Sequence, residues 1–251
     1  MSSATRADLA VDGSLATVTI ATKGGLNVMS TDAIRRLGHA IEQLKTGPDI
    51  RFTIIRAEGK VFVAGADIKE MADYQPHDAR QFGELGSAVC DAIEALPSIT
   101  LAALQGAALG GGCEIALACD FRIATSNVKI GLPETTLGLI PGWGGIPRAV
   151  RLLGVTTAKR LIFSGAAITA HEAKSIGLID DVVPDAGALE EAIRKHRACF
   201  TKGSPAAVAL VKRALRDGKD VAAFTDCFTA PESREGMSAF IKKREPSWMT
   251  S

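Results

Sequence analysis

Over its first 150 residues the chain alternates between short apolar runs and longer stretches whose apolar positions recur every three or four residues. LAVDGSLATVTI, with the turn pair Asp12-Gly13 at its centre, predicts a β-hairpin. Ser30-Thr31-Asp32 predicts the start of a helix that runs to about Leu44, because Ile34, Leu37, Ile41 and Leu44 then share one face. RFTIIRAEG, SITLAAL and DFRIAT are apolar runs of strand length. Residues from about 77 to 96 predict a helix, and CEIALA a short one between the last two strands. From Gly145 the pattern turns almost wholly helical, over about 145–153, 155–163, 170–175, 186–200, 204–217 and 219–242, broken only by the short strand LIDDVV. Glu134 falls in a loop after Pro133. The reading is a mixed α/β fold, with a helical C-terminal region of a kind that often packs on a neighbouring subunit, and no low-complexity linker.

Two strand-to-helix junctions are rich in small residues: GADIKEM, residues 65–71, and LGGGCE, residues 109–114. Glycine packs nothing there and costs conformational entropy, so it marks a close backbone approach. The first N–H groups of a helix lack intrahelical partners and carry the positive end of its dipole. Two such turns facing each other would supply converging N–H donors, which is an oxyanion hole. The plain alternative is a pair of helix starts packed tightly on the sheet. Phosphate binding is a rival, but the chain has neither GxGxxG nor GxxxxGK.

Composition narrows the field. The 251 residues are 47% hydrophobic and 23% charged, enough for one large domain or a domain with a small appendage. A net charge of +1 lacks the electrostatic footprint of a nucleic-acid binder. No apolar run reaches the ~20 residues that span a bilayer. MSSATRADLA has no apolar signal core, which predicts a cytoplasmic protein. The five cysteines, with no CxxC pair and no nearby His, predict reduced thiols and no metal site. Cys113 beside Glu114 invites a nucleophile reading, but with no His close in sequence it reads as a small buried hydrophobe.

Glu114 opens CEIALA directly after Gly110-Gly111-Gly112, and Glu134 lies in GLPETTLGLIPGWGG. Taken singly, a first-turn Glu offsets the helix dipole and a loop Glu is solvated. Two carboxylates in apolar, glycine-rich surroundings suggest paired acid–base work, with at least one pKa raised by burial.

FVAGADIKEM, GAALGGGCEIALACDFRIAT and GLPETTLGLIPGWGGIPRAVRLLG resemble the signature segments of the crotonase family, the enoyl-CoA hydratases and isomerases. The closing REGMSAFIKKREPSW resembles that family's C-terminal helix, so the match spans nearly the whole chain. The resemblance implies a spiral of repeated strand-strand-helix units over residues 1–190 and a helical trimerisation region over 191–251, assembled as a homotrimer or a dimer of trimers. It implies an acyl-CoA substrate, no prosthetic group and no metal. By similarity the backbone N–H groups of Ala66 and Gly111 grip the thioester carbonyl. Glu114 and Glu134 match the two catalytic glutamates of enoyl-CoA hydratases, with Glu114 as water-activating base and Glu134 as protonating acid, and Gly142 shapes the water site. Leu26, Asn27, Ala64, Gly65, Ala66, Asp67 and Ile68 are implied to lie along the CoA, with Lys23 and Lys69 near its phosphates. Phe240 and Lys243 match positions that reach a neighbouring subunit's CoA. Met71 and Tyr74 are implied to flank the acyl pocket. The sequence departs from the family pattern at ATKGGLNVMS, which lacks an Arg-Pro-containing stretch, and at Trp143, where many relatives carry a small residue. Its indole either points into the acyl pocket or packs on the subunit surface. Retention of both acids favours hydration over the alternatives: an isomerase, another crotonase-type hydrolase or lyase, or a non-catalytic CoA-binding or RNA-associated relative.

Overall fold

In the computed structural model, which describes residues 5–46 and 49–249, successive turns of the chain lay one strand on a large sheet and the next on a smaller one. Residues 1–4, part of the stretch read for a signal core, lie outside the described residues. Strands β1 (Arg6–Asp12) and β2 (Leu15–Ala21) form the expected antiparallel hairpin, and β3 (Val28–Met29) leads into α1 (Thr31–Thr46). The next turn holds β4 (Phe52–Ala57), β5 (Val61–Val63), β6 (Gly65–Ala66), the one-turn helix α2 (Ile68–Met71) and α3 (Pro76–Ala95). Then come β7 (Ile99–Leu104), β8 (Ala107–Leu109) and α4 (Gly111–Ala118). These are followed by β9 (Phe121–Thr125), β10 (Lys129–Gly131), a 3-10 turn over Pro133–Leu137 and α5 (Gly145–Ser164). β11 (Ile168–Thr169), α6 (Ala170–Ser175) and β12 (Asp181–Val183) close the spiral. Outside it lie α7 (Ala186–Phe200), α8 (Pro205–Asp217), α9 (Asp220–Cys227), α10 (Pro231–Ile241) and a 3-10 turn over Ser247–Met249.

The large sheet runs β1-β2-β4-β7-β9-β12, parallel beyond the hairpin; the smaller ones run β11-β10-β8-β5 and β3-β6. On β4 and β7, Phe52, Ile54 and Leu101 pack toward Leu189 and Ile193 of α7. Their sequence neighbours Ile55, Ala102 and Leu104 join Ile34, Leu37 and Ile93 of α1 and α3 in the main core. A parallel sheet covered on both faces explains why these strands are continuous apolar runs rather than alternating ones.

Three expectations need correction. The helix expected over 219–242 is two helices, α9 ending at Cys227 and α10 starting at Pro231. Proline is suited to the first helical position, where its missing N–H has no partner to lose, and not to a helix interior. The C-terminal half is broken by β11 as well as β12, and Glu134 sits in a 3-10 turn rather than a loop. The break expected between helices at 145–153 and 155–163 is present, since Gly154 (φ 75°, ψ 158°) is non-helical within α5.

Candidate active site

The two glycine-rich junctions meet backbone to backbone. A Cβ placed on Gly112 would lie 2.3 Å from the Val63 carbonyl oxygen, and one on Gly65 would lie 3.3 Å from that of Leu109. Gly65 (φ 119°) and Gly110 (φ 52°) adopt backbone conformations that L side chains rarely take. As the first helical residue of α4, Gly111 has an N–H with no intrahelical acceptor, and it finds no other among the described residues.

Between the junctions lies a cavity of about 310 Å³. Of the expected site residues, Ala64, Ala66, Ile68, Met71, Gly111, Glu114, Glu134, Gly142 and Trp143 all line it. Glu114 is only 2% exposed and lies in the first turn of α4. Its Oε1 accepts from the Trp143 N–H at 2.7 Å and the Gly145 N–H at 2.8 Å, while its Oε2 accepts no hydrogen bond among the described residues. Burial pushes the Glu114 carboxyl up from 4.5 to about 7. The two N–H bonds oppose that rise and the charge of Glu134 adds to it. Glu134 is carried by the 3-10 turn over Pro133–Leu137. Its Oε2 is buried with no hydrogen-bond partner, and burial raises its pKa as well. A Cβ on Gly110 would lie 3.0 Å from Glu134 Oε1, so the glycine leaves this carboxyl its place.

Trp143 is 3% exposed and turns its indole inward, with Phe82 at 5.6 Å between ring centroids. Tyr74 lies outside the cavity wall, edge-on to Phe82 at 5.6 Å. Its hydroxyl donates to Glu70 at 2.7 Å, and Glu70 also accepts from the Thr31 N–H at 3.0 Å, tying α2 to the start of α1. Asn27 is buried, and its side-chain amide donates to the carbonyls of Glu58, Val61 and Phe62. The Asn27 carbonyl accepts from the Ala64 N–H at 2.8 Å, so this residue holds the strand that delivers Ala64 to Ala66. Asp67 caps α2, accepting from the N–H groups of Lys69 and Glu70. Lys23, Leu26, Lys69, Phe240 and Lys243 are exposed and do not line the cavity. Cys113 is fully buried with its thiol pKa pushed up by burial, so it is no nucleophile at neutral pH.

Two contributors escaped sequence reasoning. Phe82 forms part of the cavity wall from α3. Arg148, buried in α5, donates to the Trp143 carbonyl at 3.0 Å and pairs with Asp91 and with Glu94, the latter at 2.9 Å. It thereby grips the segment whose N–H groups hold Glu114. No sequence signal singled it out, since GWGGIPRAVRLLG carries both Arg148 and Arg151.

The fold recurs in solved structures. The crystal structure of an enoyl-CoA hydratase from Bacillus anthracis superposes with a TM-score of 0.88 at 34% identity, covering 96% of this chain and 98% of that one. The model of the enoyl-CoA hydratase/isomerase family matches residues 10–251, and the chain belongs to that family. It is 39% identical over 245 residues to the short-chain-enoyl-CoA hydratase of Clostridium acetobutylicum, covering 93% of this chain and 94% of that protein. It is likewise 39% identical over 236 residues to the crotonyl-CoA hydratase of Syntrophomonas wolfei, with 90% of each covered.

Proposed function

We propose that the protein is an enoyl-CoA hydratase, adding water reversibly across the 2,3 double bond of a 2-enoyl-CoA thioester. The observation that carries the reading is the pair of carboxyls with raised pKa values, Glu114 and Glu134, in one apolar cavity against the start of α4. The N–H groups of Ala66 and Gly111 hold the thioester oxygen as it gains enolate charge, an interaction worth about 2.7–4 kcal/mol per donor. Glu114, steadied through Oε1 by Trp143 and Gly145, takes a proton from a water through Oε2 beside Gly142. The resulting hydroxide bonds to the β-carbon, the double bond's electrons move toward the carbonyl, and Glu134 delivers a proton to the α-carbon. Glu114 then releases its proton and Glu134 regains one through solvent, so that over the cycle one whole water is consumed, and the step needs no redox group or metal.

The CoA moiety runs along Leu26, Asn27 and Ala64 to Ile68, with Lys23 and Lys69 near its phosphates. The enzyme works in the cytoplasm as a homotrimer or dimer of trimers through residues 191–251, which lets Phe240 and Lys243 reach a neighbour's CoA. The exposed apolar side chains of α8 to α10 support that assembly.

Turnover of crotonyl-CoA, followed as loss of the conjugated thioester absorbance, tests the reading. Glu134→Gln lowers the rate by ~10²-fold or more, the scale of general acid–base catalysis. A wild-type rate in that variant would remove Glu134 from the mechanism.

A further inference from the structure

We infer that the acyl end of this cavity takes a short, uncharged 2-enoyl group and that Trp143 sets its length limit; this rests on the hydratase reading of the same site. The indole is slotted between two helices. A Cβ on Gly86 of α3 would lie 2.3 Å from its Nε1, and a Cβ on Gly111 of α4 would lie 2.2 Å from its Cζ3. Glycine stands at both positions because the ring occupies the space a side chain would need. The ring therefore cannot swing aside unless α3 and α4 separate, and close-packed elements resist that. Phe82 backs it at 5.6 Å. On the hydratase reading Gly111 holds the thioester oxygen, so the indole presses on the very residue that anchors the substrate. The backbone N–H of Trp143 also bonds Glu114 Oε1 at 2.7 Å, which fixes the wall relative to the reacting carbons.

The chemistry of the lining sets the second half of the inference. Among the described residues, the cavity's only charged side chains are Glu114 and Glu134, and no Lys, Arg or His faces it. An acyl group ending in a carboxylate would be buried beside two acids with no counter-charge, an arrangement that costs heavily in desolvation and repulsion. Its apolar lining suits an alkyl terminus.

The test is kcat/KM for crotonyl-CoA, 2-octenoyl-CoA and glutaconyl-CoA, which ends in a carboxylate, with the wild type, Trp143→Ala and Trp143→Phe. Wild type is expected to favour crotonyl-CoA over 2-octenoyl-CoA by ~10-fold or more, the scale at which a pocket wall discriminates. Trp143→Ala raises the octenoyl-to-crotonyl ratio by ~10-fold or more, and Trp143→Phe shifts it the same way by less. Glutaconyl-CoA runs ~10²-fold or more below crotonyl-CoA in all three. An unchanged chain-length ratio in a folded Trp143 variant overturns the wall, and Trp143→Phe decides if the alanine variant does not fold. Glutaconyl-CoA turned over as well as crotonyl-CoA overturns the requirement for an uncharged group. If the wild type hydrates none of the three, the hydratase reading fails. Competitive binding of butyryl-CoA and octanoyl-CoA then judges the wall alone: a ~10-fold gain for octanoyl-CoA in Trp143→Ala supports it, and an unchanged ratio overturns it.

Discussion

Glu114 is held where its charge is unwelcome. Burial lifts its carboxyl to about 7 although two backbone N–H groups favour the ionised form. The folded chain therefore binds a proton at this site that the unfolded chain, titrating near its ordinary 4.5, has already released. Stability falls wherever the folded state holds more protons. The Glu114 contribution is thus present below about pH 4.5 and lost as pH rises through about 7, on the order of 3 kcal/mol. Urea unfolding at pH 5 and pH 8 checks this: wild type loses more stability across the interval than Glu114→Gln, whose amide does not titrate. Equal losses would place the Glu114 carboxyl near its ordinary pKa. Glu134 shifts in the same direction but is common to both proteins. The two acids stood out in the sequence because charge is rare in apolar, glycine-rich stretches. Arg148 did not, since nothing local to it signals that it grips the Trp143 carbonyl.

At the scale of elements, α4 decides how closely the two junctions approach. All eight of its residues are buried, so it shows no apolar stripe, and periodicity places it poorly. Its expected start, Cys113, falls two residues late because Gly111 and Gly112 are weak helix formers, kept for contact rather than propensity. A Cβ on Gly112 would meet the Val63 carbonyl at 2.3 Å, and backbone cannot yield as a flexible side chain can. Gly112→Ala is expected to lower stability by about 1–3 kcal/mol, the scale of overpacking. It should also cut crotonyl-CoA turnover by ~10²-fold, since a small displacement of the Gly111 donor costs that much. Thermal unfolding and kcat on one preparation check both, and unchanged values in each would mean the junctions have slack. The long elements were legible: α1 from its stripe, α3 and α7 over nearly their full lengths, β4 and β7 from apolar runs. The two- and three-residue strands β3, β5, β6, β8, β10 and β11 were not. Such strands are too short to show an alternating pattern, and their pairing is set by partners distant in sequence. The continuous helix expected over 219–242 is broken because Pro231 begins a new helix.

In the whole molecule, polarity in the C-terminal region is arranged against the usual sense. Lys212 of α8 is buried, donating to the Ser98 carbonyl at 2.7 Å and to Asp120 at 2.6 Å. Arg51 at the edge of β4 donates to the carbonyls of Thr201, Gly203 and Trp248. Charged side chains thus pin these helices to the spiral, while large apolar ones face outward: Leu215 on α8, Phe224 on α9, Phe240 and Ile241 on α10. Phe240 is 86% exposed. Single exposed apolar residues are ordinary, but a set this large over consecutive helices supports the proposed assembly. On the proposed homotrimer or dimer of trimers, light scattering on the wild type should report three or six chains. Phe224→Glu with Phe240→Glu should shift it to single chains with unchanged helix content, because each carboxylate would have to be desolvated in the interface. If Phe240 also reaches a neighbour's CoA, KM for crotonyl-CoA rises more than kcat falls, since Glu114 and Glu134 lie within one chain. A monomeric wild type would separate this apolar face from assembly, and an assembled double variant would move the interface elsewhere on the molecule.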